Sequence, residues 1–393
     1  MTTRRLLPAL AGLLLLITAT ILVTAAPARA ATLRPVASFG SNPGNLAMYA
    51  YTPDGLPAGA PLVVVLHGCT QTAAAYHANS GWQRFADAWR FALVYAEQRT
   101  ANNANRCFNW FQPADTARGQ GEALSVRQMV ARAIADNAGD PARVHVTGLS
   151  AGGAMSAVML AAYPDVFAAG SIVGGIPYRC AADVVGAYSC MSPGTDKTPA
   201  AWGSVVRDAY PGYTGPRPKV AIWHGTADST VAVRNAEESR DQWTDVAGIA
   251  ATPAATTPLP AGTTLETYPG DKVRRYLVAG MGHGTPVDPG TGAEQCGTAA
   301  AYFLDTICAA YHDAVYFGLD GGGGTPTASP TTTPTPVPVC ETASNYAHTV
   351  AGRAYQAGGR AYARGSGQDM GLWNVFTVTS LRRTGTDYWV IGC

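Results

Sequence analysis

Gly148-Leu149-Ser150-Ala151-Gly152 sets a serine between two glycines, where the strand-like run Val144–Thr147 meets a helical stretch beginning at Ala154. A G-x-S-x-G pentapeptide between strand and helix marks a nucleophile elbow. The serine occupies a strained turn that presents Oγ, and side chains at 148 and 152 would collide with the neighbouring elements. A serine hydroxyl needs a base to become a nucleophile. There are seven histidines, and where an elbow is used this way the chain order is serine, acid, histidine. His283, His312 and His348 lie late enough. His348 sits beyond a flexible spacer, and His312 in a helix-like stretch beside Cys308. His283 lies in the glycine-rich Gly280-Met281-Gly282-His283-Gly284, just past the apolar Tyr276-Leu277-Val278, so it is the expected base. Asp228 follows the run Lys219–Trp223 in a loop of the same kind and is the expected acid. Asp165, Asp208, Asp241, Asp245 and Asp271 lack that placement, and His224 reads as structural. The tetrahedral oxyanion of acyl transfer needs two backbone N–H donors. Ala151, after the serine, supplies one. Cys69, in His67-Gly68-Cys69 at the end of Leu62–Leu66, supplies the other.

Such residues must be carried by a sheet. Leu62–Leu66 and Phe91–Tyr95 are continuous apolar runs, as expected of strands buried on both faces. Val144–Thr147, Ser171–Val173, Lys219–Trp223 and Tyr276–Val278 continue the series. Val126, Met129, Val130, Ala133 and Ile134 share one face of a helix, and Ala154–Tyr163 forms another, stopped by Pro164. Strands alternating with helices predict an α/β fold, a mostly parallel sheet covered on both faces.

The chain also resembles a known family. His67-Gly68-Cys69-Thr70-Gln71-Thr72, Cys107-Phe108-Asn109-Trp110-Phe111, Arg118-Gly119-Gln120-Gly121-Glu122, Gly148 to Gly153, His224-Gly225-Thr226-Ala227-Asp228 and Gly280 to Gly284 resemble, in order, motifs of the polyhydroxybutyrate depolymerase family of serine esterases. The resemblance implies an α/β-hydrolase fold, Ser150, Asp228 and His283 as triad, and Cys69 at the oxyanion hole. The oxyanion motif preceding the serine resembles the type 1 arrangement of extracellular depolymerases. Related acetylxylan and feruloyl esterases share these motifs.

Arg4 and Arg5, the apolar run Leu6–Val23 and Ala28-Arg29-Ala30 read as a cleavable leader over 1–30, so the mature protein is expected to be secreted and free of the membrane. All eight cysteines lie beyond it, and an even count in an exported chain suggests disulfides, of which 105 connectivities are possible. Closeness favours Cys180 with Cys190 and Cys296 with Cys308. Cys340 and Cys393 bracket the tail, which leaves Cys69 and Cys107. That last bridge would stiffen the oxyanion loop and bring Phe108–Phe111 beside the site, with Trp110 as a substrate contact. Residues 321–339, rich in Gly, Thr and Pro, read as a flexible-to-extended linker. They divide a catalytic block, 31–320, from a module of 340–393. That module is too small for a sturdy core without a disulfide, is expected to be β-rich with a hairpin turn at Gly358-Gly359, and is dense in aromatics that suit a polymer surface.

With 13% charged residues and a net charge of +1, the 393-residue chain has no electrostatic footprint for nucleic acid. No Cys-x-x-Cys or histidine cluster suggests zinc, and the chemistry needs neither metal nor cofactor. The expectation is a monomeric secreted serine esterase acting on an insoluble polymer. The favoured substrate is a short-chain polyhydroxyalkanoate such as poly(3-hydroxybutyrate); the alternative is acetyl or feruloyl esters of plant cell-wall polysaccharide. A non-catalytic polymer-binding protein is the reading from another class, and the complete set of serine, acid and base argues against it.

Overall fold

The computed structural model describes residues 31–321, 340–385 and 388–392. The expected leader, nearly all of the linker, and Cys393 lie outside the described residues. Two compact units are present, one ending near residue 321 and one beginning near residue 340.

The first unit is built on one ten-stranded sheet. Its strands are β1 (Arg34–Val36), β2 (Ala47–Tyr51), β3 (Leu62–Leu66), β4 (Ala92–Glu97), β5 (Val144–Leu149), β6 (Ala169–Val173), β7 (Lys219–Gly225), β8 (Ala255–Leu259), β9 (Thr263–Thr267) and β10 (Val273–Val278), in the spatial order β1-β2-β4-β3-β5-β6-β7-β10-β9-β8. The centre, β4-β3-β5-β6-β7-β10, is parallel throughout. Antiparallel pairs finish both edges. The helices are α1 (Ala73–Asn79), α2 (Trp82–Trp89), α3 (Pro113–Thr116), α4 (Gly121–Asn137), α5 (Ala151–Ala162), α6 (Val184–Met191), α7 (Pro199–Arg207), α8 (Arg234–Ala247) and α9 (Ala309–Tyr316).

Side chains on a strand alternate between faces, and β3 shows why its run has no polar break. Leu62, Val64 and Leu66 pack with α4, α5, α7 and α8 on one face. Val63 and Val65 pack with α1, α2 and α9 on the other. The chain therefore has the α/β-hydrolase architecture expected of it. α5 is buried along its whole length, which its run of Ala, Met, Val and Leu permits, and it ends at Tyr163, ahead of Pro164.

The second unit holds two small antiparallel sheets. In one, Cys340–Ser344 pairs with Val378–Gly385, which pairs with Tyr388–Ile391. In the other, Ala354–Ala357, Arg360–Ala363 and Asp369–Leu372 are neighbours. Gly358 and Gly359, at φ 57° and 80°, form the two-residue turn between the first two of these strands, where a tight hairpin requires positive φ twice. Trp389 belongs to this unit's core with Ala354, Ala361, Ala363, Met370 and Leu381, whereas Tyr346, Tyr355, Trp373 and Phe376 are exposed.

Candidate active site

Ser150 sits where β5 turns into α5, with φ 59° and ψ −119°, a conformation that side chains rarely adopt. The surroundings hold it there. Its N–H donates to the Val173 carbonyl at 2.8 Å, and its own carbonyl accepts the Ala154 N–H at 2.8 Å, starting the helix. The flanking glycines are dictated by contact. A Cβ on Gly148 would lie 2.5 Å from the Gly152 carbonyl carbon, and one on Gly152 would drive into the Leu66 and His67 carbonyl oxygens.

Asp228 and His283 are brought together by the ends of β7 and β10, which are neighbours in the sheet. The two following loops are laced by backbone bonds: Thr226 N–H to the Val278 carbonyl at 3.0 Å and Ala227 N–H to the Met281 carbonyl at 3.0 Å. The Gly280 N–H reaches Thr226 Oγ1 at 2.8 Å. In this frame His283 Nδ1 lies 2.7 Å from Asp228 Oδ2. Asp228 Oδ1 accepts the Thr230 and Val231 N–H groups, both at 2.9 Å, so the carboxylate cannot swing. Burial pushes this carboxyl up, but the hydrogen bond and charge of His283, with the Val231 N–H, hold it net below its ordinary value. A Cβ at Gly174, just past β6, would meet the imidazole at an ordinary contact distance of 3.4 Å, and what favours glycine there is its φ of 50°. Among the described residues no hydrogen bond joins Ser150 Oγ to His283. Both residues line one cavity, and catalytic pairs in empty sites commonly close up only with substrate.

Cys69 and Ala151 line the same cavity. Among the described residues, neither backbone N–H donates to another protein group. The Cys69 loop is held from several sides. Its sulfur is joined to Cys107, Gly68 N–H donates to Gln71 Oε1 at 2.8 Å, and Thr70 N–H donates to the Asn105 carbonyl at 2.7 Å. His67 lies beneath. Its Nε2 accepts the Gln98 N–H at 3.0 Å, which leaves the proton on Nδ1 to donate to the Gly68 carbonyl at 2.6 Å. Burial lowers His67 to about 4 and keeps it neutral.

The cavity measures about 470 Å³, within the usual range for a small-molecule site. Trp110 lines it, meeting Phe111 edge-on at 5.4 Å. Ile176, Val184, Ala187, Tyr188, Met191, Val231 and Tyr302 complete a mostly apolar wall that the sequence reading did not anticipate. Four of these lie on α6, whose last turn is tied by the Cys180–Cys190 disulfide to the segment that precedes the helix. A short cysteine spacing was the only signal pointing there. The third described bridge, Cys296–Cys308, closes the segment containing Tyr302. The other histidines have structural partners. His224 Nε2 donates to the Val231 carbonyl at 2.8 Å, His145 stacks on Phe317, and His348 lies in the second unit against Thr379 and Arg353. Asp165, Asp245 and Asp271 pair with Arg118, Arg207 and Arg274. Among the described residues there is no cluster that could hold a metal ion, and no helix is long and apolar enough to cross a membrane.

The family model described as Esterase PHB depolymerase matches residues 46–268. The chain is 51% identical to poly(3-hydroxyalkanoate) depolymerase C of Paucimonas lemoignei, over 78% of this chain and 75% of that protein. It is 38% identical to feruloyl esterase B of Neurospora crassa, over 68% and 92%. An acetyl xylan esterase from Aspergillus awamori superposes with a TM-score of 0.64 at 27% identity, covering 73% of this chain and 99% of that one. The chain belongs to the PHB depolymerase family of esterases and is a carboxylic ester hydrolase.

Proposed function

We propose that this chain is a secreted serine esterase that cleaves the ester bonds of a short-chain polyhydroxyalkanoate such as poly(3-hydroxybutyrate). Ser150 Oγ attacks the ester carbonyl, His283 takes its proton, and Asp228 fixes the tautomer that leaves Nε2 free to do so. The Ala151 and Cys69 N–H groups receive the oxyanion, each contributing roughly 3 kcal/mol to lowering the barrier. The alcohol leaves with the proton from His283. Water then enters by the same route in reverse and releases the acid. The observation that carries this reading is the His283–Asp228 hydrogen bond beside a serine in a strained elbow, on a cavity that also holds two uncommitted N–H groups.

The aliphatic wall of Ile176, Val184, Met191 and Val231 suits a short hydroxyalkanoate unit, with Trp110 against it, and the 51% identity to a poly(3-hydroxyalkanoate) depolymerase favours the polyester. The acetylxylan and feruloyl reading is supported by the superposition on an acetyl xylan esterase over 99% of its length. Disulfides within the described residues suit an exported protein. The second unit, on its linker, is proposed to bind the insoluble polymer, and the whole is proposed to act as a monomer without metal or cofactor. Wild type and Ser150→Ala are compared for clearing of a poly(3-hydroxybutyrate) suspension and for acetate and ferulate release from xylan. Clearing by wild type alone supports the polyester reading. Clearing by folded Ser150→Ala removes the serine mechanism, and release from xylan without clearing moves the substrate to polysaccharide.

A further inference from the structure

Glu122 lies in the first turn of α4, almost fully buried, and touches no part of the cavity. Its carboxylate is nevertheless the point on which the loop between β4 and α3 converges. Oε2 accepts the Asn109 N–H at 2.8 Å. Oε1 accepts the Asn109 side-chain amide at 2.9 Å and the Gln98 side-chain amide. Each donor leads towards the oxyanion side of the site. Gln98 Nε2 also donates to the Cys107 carbonyl at 3.1 Å, and Cys107 carries the bridge to Cys69. The Gln98 N–H holds His67 Nε2, which commits His67 Nδ1 to the Gly68 carbonyl. Asn109 adjoins Trp110 on the cavity wall and accepts from Asn103, whose Oδ1 in turn accepts the Cys107 N–H at 3.3 Å.

The step from these contacts to chemistry is made by one peptide unit. The Gly68 carbonyl and the Cys69 N–H belong to the same planar trans peptide and point in opposite directions. Holding the carbonyl down on His67 therefore aims the N–H up, at the cavity. We infer that Glu122 is a positioning residue of the esterase site, anchoring through Gln98–His67 and through Asn109–Cys107 the peptide that presents the Cys69 N–H to the oxyanion. The inference rests on the proposal that Ser150 is the nucleophile and Cys69 an oxyanion donor. It gives a role to the Arg118-to-Glu122 motif, which the triad does not use. A helix-starting glutamate here has an alternative role, as a purely structural buried group, and the two differ in what they move.

Glu122→Gln keeps the shape, but whichever way the amide is turned its NH2 faces an N–H donor, so at least one of the three bonds breaks. Oxyanion donors act on the transition state rather than on bound substrate. With a soluble p-nitrophenyl ester, kcat per active site is therefore expected to fall roughly tenfold or more, short of the 10²–10³ expected from deleting a donor outright, with KM within about twofold. Affinity for an alkyl boronic acid, which forms a tetrahedral adduct, is expected to fall by the same factor as kcat. Active sites are counted by stoichiometric phosphonate labelling. Absence of label at Ser150 in wild type would overturn the nucleophile reading itself. With Ser150 labelled in both proteins, unchanged kcat and boronate affinity in Glu122→Gln, with only a lower melting temperature, would assign Glu122 a purely structural role. If Glu122→Gln does not fold, Gln98→Met, which cuts one spoke, is put through the same comparison with the same two outcomes.

Discussion

At Asp228 two oxygens have two jobs. Oδ1 is held by the N–H groups of its own turn, and Oδ2 is left for His283. Asp228→Asn would set an NH2 against His283 Nδ1 and move the ring proton to Nε2, where it blocks abstraction. The expected outcome is a kcat lower by about 10⁴ with the fold intact, checked by kinetics beside circular dichroism. A second buried acid tests electrostatics away from the site. Asp313 on α9 is fully buried, accepts the Trp223 indole N–H at 2.8 Å, and is pushed by burial up to about 7 from an ordinary 3.8. A carboxyl whose folded pKa is raised favours the fold at low pH, and that stability is lost as pH rises from near 4 through about 7. The loss amounts to roughly 4 kcal/mol at most. Asp313→Asn keeps an oxygen for Trp223 and removes the titration. Its stability by urea unfolding is expected to exceed wild type at pH 8, with the advantage shrinking towards pH 4. An unchanged pH slope would show that Asp313 is not the source.

At the scale of elements, what could be read from sequence was what burial had simplified. Both faces of the central strands are covered, so Leu62–Leu66 and Phe91–Tyr95 show as unbroken apolar runs, whereas His145 and Thr147 on β5 and Arg274 and Arg275 on β10 interrupt the pattern. The edge pair β8 and β9 could not be seen this way. Ala255–Leu259 is mostly exposed and Thr263–Thr267 only partly buried, so threonines and a proline stand where a pattern would be. Ser150, Asp228 and His283 were reachable because strand-end loops with glycines are where such groups can stand. α6 was not, and Glu122 stood out only within the Arg118–Glu122 motif with no role attached, because an apolar rim helix and a helix-starting glutamate look like many others. The elbow itself offers a test. Gly152→Ala presses a methyl group into two backbone carbonyls that have no room to retreat beneath a fully buried α5. The expected loss is roughly 3 kcal/mol or more, seen as a lower denaturation midpoint, with hydrolysis falling alongside because the serine moves with the turn.

At the scale of the whole molecule, a cleft of about 470 Å³ engages only a small part of a polymer chain, and an insoluble substrate does not diffuse to it. A second unit that holds the surface raises the local concentration of cleft at substrate without adding a contact to the chemistry. In the C-terminal unit Tyr346, Trp373 and Phe376 are exposed although it keeps a core of its own around Trp389, which suits the role proposed for it. In a near-neutral protein such exposed aromatics suit an uncharged, partly apolar polymer better than a charged one. Every residue of the proposed machinery, from Cys69 to His283, precedes the linker. Ending the chain at Gly321 is therefore expected to leave kcat/KM on a soluble short-chain ester unchanged. The same truncation is expected to lower both adsorption to poly(3-hydroxybutyrate) granules, measured by depletion from the supernatant, and the rate of their clearing. Granules dispersed with detergent provide the control, since dispersal would supply the contact proposed for the tail, and the two proteins should converge there. Equal adsorption of truncated and full-length protein to intact granules would take the binding role from the tail and return it to the catalytic unit.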